Sequence, residues 1–312
     1  MSNEILLADL ESAIAWVASF GVSPDASLRF ERYRRAMTKM NQFARAGDRE
    51  NVNALYGSAA NALFEALSLI EIWHKLSGDE CRPFVKDRLD FIRGPDHAGD
   101  ENPARSTNTP RNKQFELVIA GTVPSADRVH LELGERFSEI DVPLQTKYGT
   151  LFVECKRPVG ERGVEDRYDE AHSKLRDRME SFSDMSVRGV IAIDLTKLAN
   201  PRGALLWTDF AKAEELCSRC IYGFLESNRR LWAKPRKSPL TIGTLIRVMQ
   251  FVVSPESPRP FTYYNRFGVG NLKETTPDDQ LWLDELHASL EDSHRNAMWM
   301  GLMRGYGSPL II

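Results

Sequence analysis

The strongest constraint on the fold is a pair of strand-like segments joined by a short turn near the middle of the chain. Residues 151–156 form an apolar run that carries Glu154 and Lys156. Side chains two residues apart in a strand point to the same face, so these two polar groups lie side by side while the odd-numbered residues face the other way. Residues 138–146 also alternate, and turn-forming residues at 147–149 separate the two segments. The pattern predicts a β-hairpin.

The position of a further acid depends on the length of that turn. With a loop at 146–149, Asp141 lies directly opposite Glu154 on the neighbouring strand, and cross-strand partners share a face. A loop of odd length would break this pairing unless a bulge restored it, and Pro143 would suit such a bulge. Glu139 is the alternative acid on the same face of the strand.

A third acid lies on a predicted helix upstream of the hairpin. Thr109 and Pro110 suit a helix start, with threonine as the N-cap and proline at the first helical position. The apolar residues that follow keep the spacing of one helix face, and turn-forming residues at 121–124 end the helix. Glu116 flanks the apolar stripe, so we expect it to reach the edge of the sheet on which that stripe packs.

Three carboxylates and a lysine suit the metal-dependent cleavage of phosphodiesters. A phosphodiester is anionic and repels hydroxide, and a divalent cation screens that charge, orients the phosphate and acidifies a water. Mg²⁺ takes oxygen ligands and keeps several waters, so one or two carboxylates hold it. We therefore expect Asp141 and Glu154 to bind Mg²⁺ or Mn²⁺ and Lys156 to position water and phosphate. The alternative is an exposed strand with a solvated Glu-Lys pair, worth about 0–1 kcal/mol.

A known family shares this order of acids and lysine, which here is Glu116, Asp141 and then the triplet Glu154-Cys155-Lys156. The chain resembles the PD-(D/E)xK nuclease superfamily, also called the restriction endonuclease-like fold, over residues 109–195. The family's core runs helix, three-stranded meander, helix, strand. The resemblance implies an active site in which Glu116 supports the metal through water or a second ion.

Short stretches around these residues carry the resemblance further. The sequences at 111–116 and 153–158 are similar to those of a group of uncharacterised bacterial members of the family. One departure is that the proline of the family's short motif follows the aspartate, as Pro143, instead of preceding Asp141. This departure leaves Glu139 as the competitor for the role of Asp141. A place in bacterial genome defence would be an analogy with the family.

The sequence after the triplet predicts the rest of an α/β fold. Residues 165–183 have the spacing of an amphipathic helix, and residues 187–195 are an apolar run expected of a strand covered on both faces. Strand, helix and strand of these lengths predict a crossover with parallel strands. The expected fold is a restriction endonuclease-like core of mixed β-sheet flanked by helices, with an N-terminal helical region. Further elements are predicted as a helix at 205–232, strands at 240–253 and 261–269, and a helix at 277–303.

The N-terminal third has no strand signal before residue 84. Helix-like spacing occurs at residues 5–20, 28–45 and 53–76. A polar segment rich in proline and glycine follows and reads as a linker. The predicted organisation is a helical region at 1–93, a linker at 94–111 and a nuclease-like domain at 112–312.

Composition limits the classes of protein and of site. The chain has 312 residues, 42% hydrophobic content and a net charge of −3, which disfavours indiscriminate binding of nucleic acid by the whole surface. The pair Cys217 and Cys220 lies on a predicted amphipathic helix, and packing is favoured over a zinc or redox site. No signal peptide or apolar run of 18 residues is visible, so we expect a cytoplasmic protein that does not contact membrane.

Basic residues form local groups despite the acidic total. Arg157 and Arg162 follow the triplet, and Arg229 and Arg230 lie further along the chain, where they could contact backbone phosphates without reading sequence. Arginines at 29–35 form another group, for which a solvated helix face is an equal alternative.

Three functions from different classes remain open at this stage. The first is a Mg²⁺-dependent endonuclease, with DNA favoured over RNA as the substrate. The second is a catalytically silent nuclease-like fold that binds nucleic acid or acts as a scaffold. The third is a helical adaptor in which residues 1–93 bind a protein partner and the nuclease domain is the effector; a homodimer is also open.

Overall fold

A computed structural model describes the chain except for short gaps and the two terminal ends. The described residues are 3–25, 27–96, 100–102, 108–125, 127–200, 206–233, 238–253, 261–271, 275–299, 304–305 and 310–311. They divide into two compact units, Met1–Gly121 and Thr122–Ile312. The structure is of the α/β class, with helices in the first unit and a mixed sheet flanked by helices in the second.

The first unit is helical, as the sequence predicts. Its helices are α1 (Asn3–Ala18), α2 (Arg29–Arg45), α3 (Arg49–Leu76), α4 (Arg82–Lys86) and α5 (Thr109–Thr122). Helix α3 starts where the Asp48 side chain accepts a hydrogen bond from the Asn51 amide, which satisfies one of the free N–H groups of its first turn.

The second unit is built on one sheet. Its strands are β1 (His130–Leu131), β2 (Val142–Thr146), β3 (Gly149–Lys156), β4 (Val187–Asp194), β5 (Leu206–Trp207), β6 (Thr241–Val253), β7 (Phe261–Asn271), β8 (Arg304–Gly305) and β9 (Leu310–Ile311). Its helices are α6 (Val164–Glu180), α7 (Thr196–Ala199), α8 (Phe210–Ser227), α9 (Arg229–Ala233) and α10 (Pro277–Trp299). Within the described residues, the strand order is β1-β2-β3-β4-β6-β7-β8, with β5 beside β6 and β9 beside β7.

The connections explain the mixed character of this sheet. Strands β2 and β3 form the predicted antiparallel hairpin, and α6 crosses over to β4, which lies parallel to β3. The parallel pairing of β3 and β4 confirms the crossover predicted from the sequence. Strand β4 is buried on both faces and also pairs in parallel with β6.

Helix α6 packs on the face of β3 that holds its even-numbered residues. Phe152 of β3 lies in one buried cluster with Tyr168, Leu175 and Met179 of α6. Cys217 of α8 is fully buried in the same cluster, so its predicted packing role is confirmed. Burying a large apolar side chain in this way contributes about 1.5–3 kcal/mol. This core fixes α6 over the end of β3 that carries the triplet.

The hairpin turn approaches the neighbouring elements closely. Gly149 has a φ of 138°, a conformation that favours glycine. A Cβ atom here would collide with the backbone oxygen of Ser186 and lie 2.8 Å from the Trp282 ring. The Ser186 oxygen already accepts a hydrogen bond of 3.0 Å from the Thr150 amide. Glycine at this position therefore allows the hairpin to dock beside β4.

Two predicted elements have different bounds. The strand predicted at 138–146 begins only at Val142, because Glu135–Phe137 forms a turn of 3-10 helix and residues 138–141 continue as turn and bend. The long helix predicted at 205–232 is wrong as one element. The chain breaks at Asn228, whose φ of −109° and ψ of 21° leave the helical region, and it continues as α9.

The division of the chain lies further along than the predicted linker at 94–111. Arg111 is buried, and its guanidinium lies 3.0 Å from a Glu65 carboxylate oxygen and 3.2 Å from one of Glu101. These ion pairs attach Glu101 and Arg111, two described residues of the predicted linker, to the helical unit. Helix α5 and Glu116 belong to the helical unit, whereas the sequence assigned them to the nuclease-like domain. Residues 97–99 and 103–107 lie outside the described residues.

Candidate active site

The hairpin register brings two of the predicted acids together. Thr146 pairs with Gly149 and Val142 with Val153, so the next position places Asp141 opposite Glu154. The pairing is regular without a bulge, which confirms the loop of even length. Asp141 precedes β2 directly, and its Oδ2 accepts a hydrogen bond of 2.9 Å from the Cys155 amide.

The lysine of the triplet lies on the predicted face. Lys156 Nζ donates a hydrogen bond of 2.8 Å to Glu154 Oε1 and one of 3.0 Å to Glu170 Oε1. The Lys156 side chain is 8% exposed and that of Glu154 is fully buried. A buried charged pair requires close partners, because removal from water costs several kcal/mol per ion. The reading of an exposed, solvated Glu-Lys pair is therefore wrong.

Three side chains of α6 complete the site, and the sequence reasoning missed them. Glu170, Lys174 and Arg178 are spaced four residues apart and therefore lie along one helix face. Lys174 Nζ is 3.3 Å from Glu154 Oε1 and 3.4 Å from Glu170 Oε1. The missed signal is this polar stripe beside the apolar stripe of an amphipathic helix that directly follows the triplet.

Arg178 spans the two facing carboxylates. Its Nη1 donates a hydrogen bond of 2.6 Å to Glu154 Oε2 and lies 3.8 Å from Asp141 Oδ1. The other oxygen of each acid has a different partner, the Cys155 amide for Asp141 and Lys156 for Glu154. The guanidinium thus occupies the gap between the two carboxylates.

Burial and charge shift the pKa values of this cluster in different directions. Burial, with a smaller contribution from the negative charge of Asp141, raises the pKa of Glu154, and Lys156 and Arg178 oppose that shift. Burial also acts to raise the pKa of Glu170, but hydrogen bonds from Lys156 and Arg167 outweigh this effect and lower the pKa to about 2. Burial acts to lower the pKa of Lys174, but the carboxylates of Glu154 and Asp141 raise it above its ordinary value.

The donor set fits a hard divalent cation. Asp141, just before β2, and Glu154, on β3, offer carboxylate oxygens from facing positions. Among the described residues, no three or more His, Cys, Asp or Glu side chains are grouped so that they could hold a metal ion. Mg²⁺ keeps several waters and needs only one or two carboxylates, so two facing acids suffice for it. Glu139, the competing acid, is exposed.

The third predicted acid, Glu116, contacts basic residues of the helical unit. Glu116 is buried on α5 and accepts a hydrogen bond of 2.9 Å from Arg88 Nε. Lys113 Nζ donates to both of its carboxylate oxygens, at 2.8 and 3.0 Å. The structure thus brings Asp141, Glu154 and Lys156 into one cluster, whereas Glu116 lies among cations of its own unit.

The predicted phosphate-contacting arginines fall into two groups. Arg157 is buried, and its Nε lies 3.6 Å from Asp194 Oδ2, so it supports the interior at the ends of β3 and β4. Its side chain is only 4% exposed, and its contact with a backbone phosphate stays a prediction. Arg162 is exposed. The side chains of Arg229 and Arg230 are 79% and 76% exposed and remain candidates for nucleic-acid contact.

Comparisons with protein-family models, curated proteins and solved structures found no match for this chain. The helices of the described residues include none that is long and apolar enough to cross a membrane. The function is therefore inferred from the geometry of the site.

Proposed function

We propose that this chain is a metal-dependent nuclease of the PD-(D/E)xK type that hydrolyses phosphodiester bonds, in DNA in preference to RNA. The observation that carries the proposal is the placement of Asp141 opposite Glu154, with Lys156 Nζ 2.8 Å from Glu154. Two facing carboxylates and an adjacent ammonium group are the parts that the proposed chemistry requires.

The burial of this cluster also supports a catalytic role. Ionised groups are rarely kept inside a protein without a function or a network that holds them, and strongly shifted pKa values cluster at active sites. Here burial raises the pKa of Glu154, the acid proposed to bind metal. An ion network that served only stability would gain little, because well-packed apolar residues often do as well.

In the proposed mechanism Asp141 and Glu154 hold the cation, Mg²⁺ or Mn²⁺. When bound, the cation supplies charge screening at the phosphate and a water of lowered pKa. Lys156 holds its ammonium group beside Glu154, where it can orient a water and donate to a phosphate oxygen. Glu170 fixes that ammonium group from its other side at 3.0 Å. The metal-supporting role that the family resemblance implies for Glu116 stays a prediction.

The exposed arginines would bind the substrate backbone. Arg162, Arg229 and Arg230 can contact phosphates without reading base sequence. Arg229 and Arg230 have ion-pair partners in Glu226 and Glu165, at 3.4 and 2.9 Å, and a phosphate would compete for the guanidinium groups. Binding through such contacts should weaken as salt rises.

A panel of substrates tests the proposal. Purified protein is incubated with labelled single-stranded and double-stranded DNA and RNA, in Mg²⁺, in Mn²⁺ and in chelator. The Glu154→Gln variant, purified in the same way, serves as the control for contaminating nucleases. We expect cleavage of DNA that needs metal and is absent in the variant. Binding of nucleic acid without cleavage under any of these conditions would instead support the scaffold function.

A further inference from the structure

The guanidinium of Arg178 occupies the space between the two carboxylates that are proposed to hold metal. Arg178 Nη1 is 2.6 Å from Glu154 Oε2 and 3.8 Å from Asp141 Oδ1. The same nitrogen atom contacts both carboxylates. The positive charge of Arg178 therefore lies where a cation shared by the two acids would lie. A divalent cation held by both acids would therefore compete with Arg178 for the same carboxylate oxygens.

The charge balance of the cluster points in the same direction. Three carboxylates, of Asp141, Glu154 and Glu170, face three basic groups at distances of 4 Å or less. The basic groups belong to Lys156, Lys174 and Arg178, and Arg167 adds a further positive charge at the outer side of Glu170. The carboxylates are thus fully compensated without metal. A divalent cation added to this balance leaves an excess of positive charge that an anion such as a phosphodiester would offset.

Arg178 is also placed to move. Its side chain is 22% exposed, whereas those of Glu154 and Lys156 are 0% and 8% exposed. It lies near the end of α6, which stops at Glu180, so its long side chain can swing to solvent without disturbing the apolar stripe below. Arginine matches the geometry of carboxylates and of phosphates equally well.

We propose that Arg178 closes the metal site in the absence of metal and, when a divalent cation displaces it, binds the substrate phosphate. The proposal rests on the proposed function and adds a regulatory and substrate-binding role for a residue of α6. Metal and substrate then bind cooperatively, because the cation releases the arginine that the phosphate needs.

Calorimetry of metal binding tests the first half of this proposal. Mn²⁺ is titrated into the wild-type chain, Arg178→Gln and Arg176→Gln. Arg176 is the matched control, since it lies on the same helix and its Nη2 pairs with Asp177 at 2.7 Å. We expect Arg178→Gln to bind Mn²⁺ about tenfold more tightly or better, equivalent to about 1.4 kcal/mol. Arg176→Gln should stay within about twofold of wild type. Unchanged or weaker Mn²⁺ binding in Arg178→Gln would overturn the proposal.

Substrate binding tests the second half. In a Lys156→Ala background that cannot cleave, Arg178→Gln should weaken the binding of a DNA oligonucleotide in saturating Mn²⁺ by about fivefold or more. Arg178→Lys should retain part of the affinity, because it keeps the charge and loses the forked geometry. Equal oligonucleotide affinity with and without Arg178 would contradict the proposal.

Failure of the proposed function can be told apart from failure of this inference. A wild-type chain that binds Mn²⁺ and cleaves no nucleic acid defeats the proposed function, while the Mn²⁺ affinities still decide whether Arg178 competes for the site. An active wild type whose Mn²⁺ affinity does not respond to Arg178→Gln defeats the inference alone.

Discussion

At the scale of single residues, the site is a compensated cluster of buried charges. The sequence predicted Asp141, Glu154 and Lys156 because the order of residues and the period of a strand are local properties. Arg178 and Glu170 could not be assigned in the same way. Their role depends on which face of α6 meets β3, and the packing of residues distant in sequence decides that face.

Glu170 should make the stability of the protein depend on pH in a defined range. Its folded pKa of about 2 lies below the ordinary value of 4.5, so the ionised group stabilises the fold above pH 4.5. That contribution is lost as pH falls from 4.5 towards 2. The group is partly exposed, so we expect Glu170→Gln to lower the free energy of unfolding at pH 7 by at most about 1 kcal/mol.

Urea unfolding of wild type and Glu170→Gln at pH 7, 5, 4 and 3 measures this effect. The difference between the two proteins should shrink steadily below pH 4.5. Glu180→Gln, at an exposed position of the same helix, is the control for the loss of a negative charge. A difference that stays constant down to pH 3 would contradict the assigned pKa shift.

At the scale of elements, the hairpin of β2 and β3 sets the site by its register. Its turn length and the position opposite Glu154 were predictable, since turn residues and alternation are both visible in the sequence. The late start of β2 was not predictable, because the alternation of apolar and polar residues does not reveal the 3-10 turn at Glu135–Phe137. The break of the predicted long helix at Asn228 likewise depends on packing that the sequence does not show.

Substitution of Gly149 tests how firmly the turn fixes that register. Gly149→Ala places a Cβ against the Ser186 backbone and the Trp282 ring in a conformation that favours glycine. We expect a loss of about 1–3 kcal/mol in the free energy of unfolding. Gly160→Ala is the control, since its backbone is extended and a Cβ there meets nothing within 4 Å. Equal stability of the two variants, measured by urea unfolding, would show that the turn can relax at no cost.

At the scale of the whole molecule, the chain combines a helical unit with a unit that holds the sheet. Four arginines of α2 form ion pairs with acids of the helical unit: Arg29 with Glu65, Arg32 with Asp96, and both Arg34 and Arg35 with Glu31. The sequence showed the basic group but not its partners, some of which lie more than thirty residues away. This arrangement favours a structural role over phosphate binding for the first basic group.

Arg111 should be a sensitive position of the helical unit. It is buried between Glu65 and Glu101, and its removal leaves carboxylates in the interior with less compensation. We expect Arg111→Ala to cost about 3–5 kcal/mol of unfolding free energy. Arg35→Ala, whose side chain is 56% exposed, should cost about 1 kcal/mol or less. Chemical unfolding followed by circular dichroism measures both, and a loss below about 1 kcal/mol in Arg111→Ala would contradict the buried network.

The most direct test of the account is the rate of metal-dependent DNA cleavage in variants of the triplet. Glu154→Gln and Lys156→Ala remove the proposed metal ligand and the proposed positioning group, and each should lower the rate by about 100-fold or more. Glu139→Gln, at the exposed competing acid, should stay within about threefold of wild type. Circular dichroism and thermal unfolding confirm that each variant is folded. Cleavage by folded Glu154→Gln or Lys156→Ala at a rate within a few-fold of wild type would contradict the account.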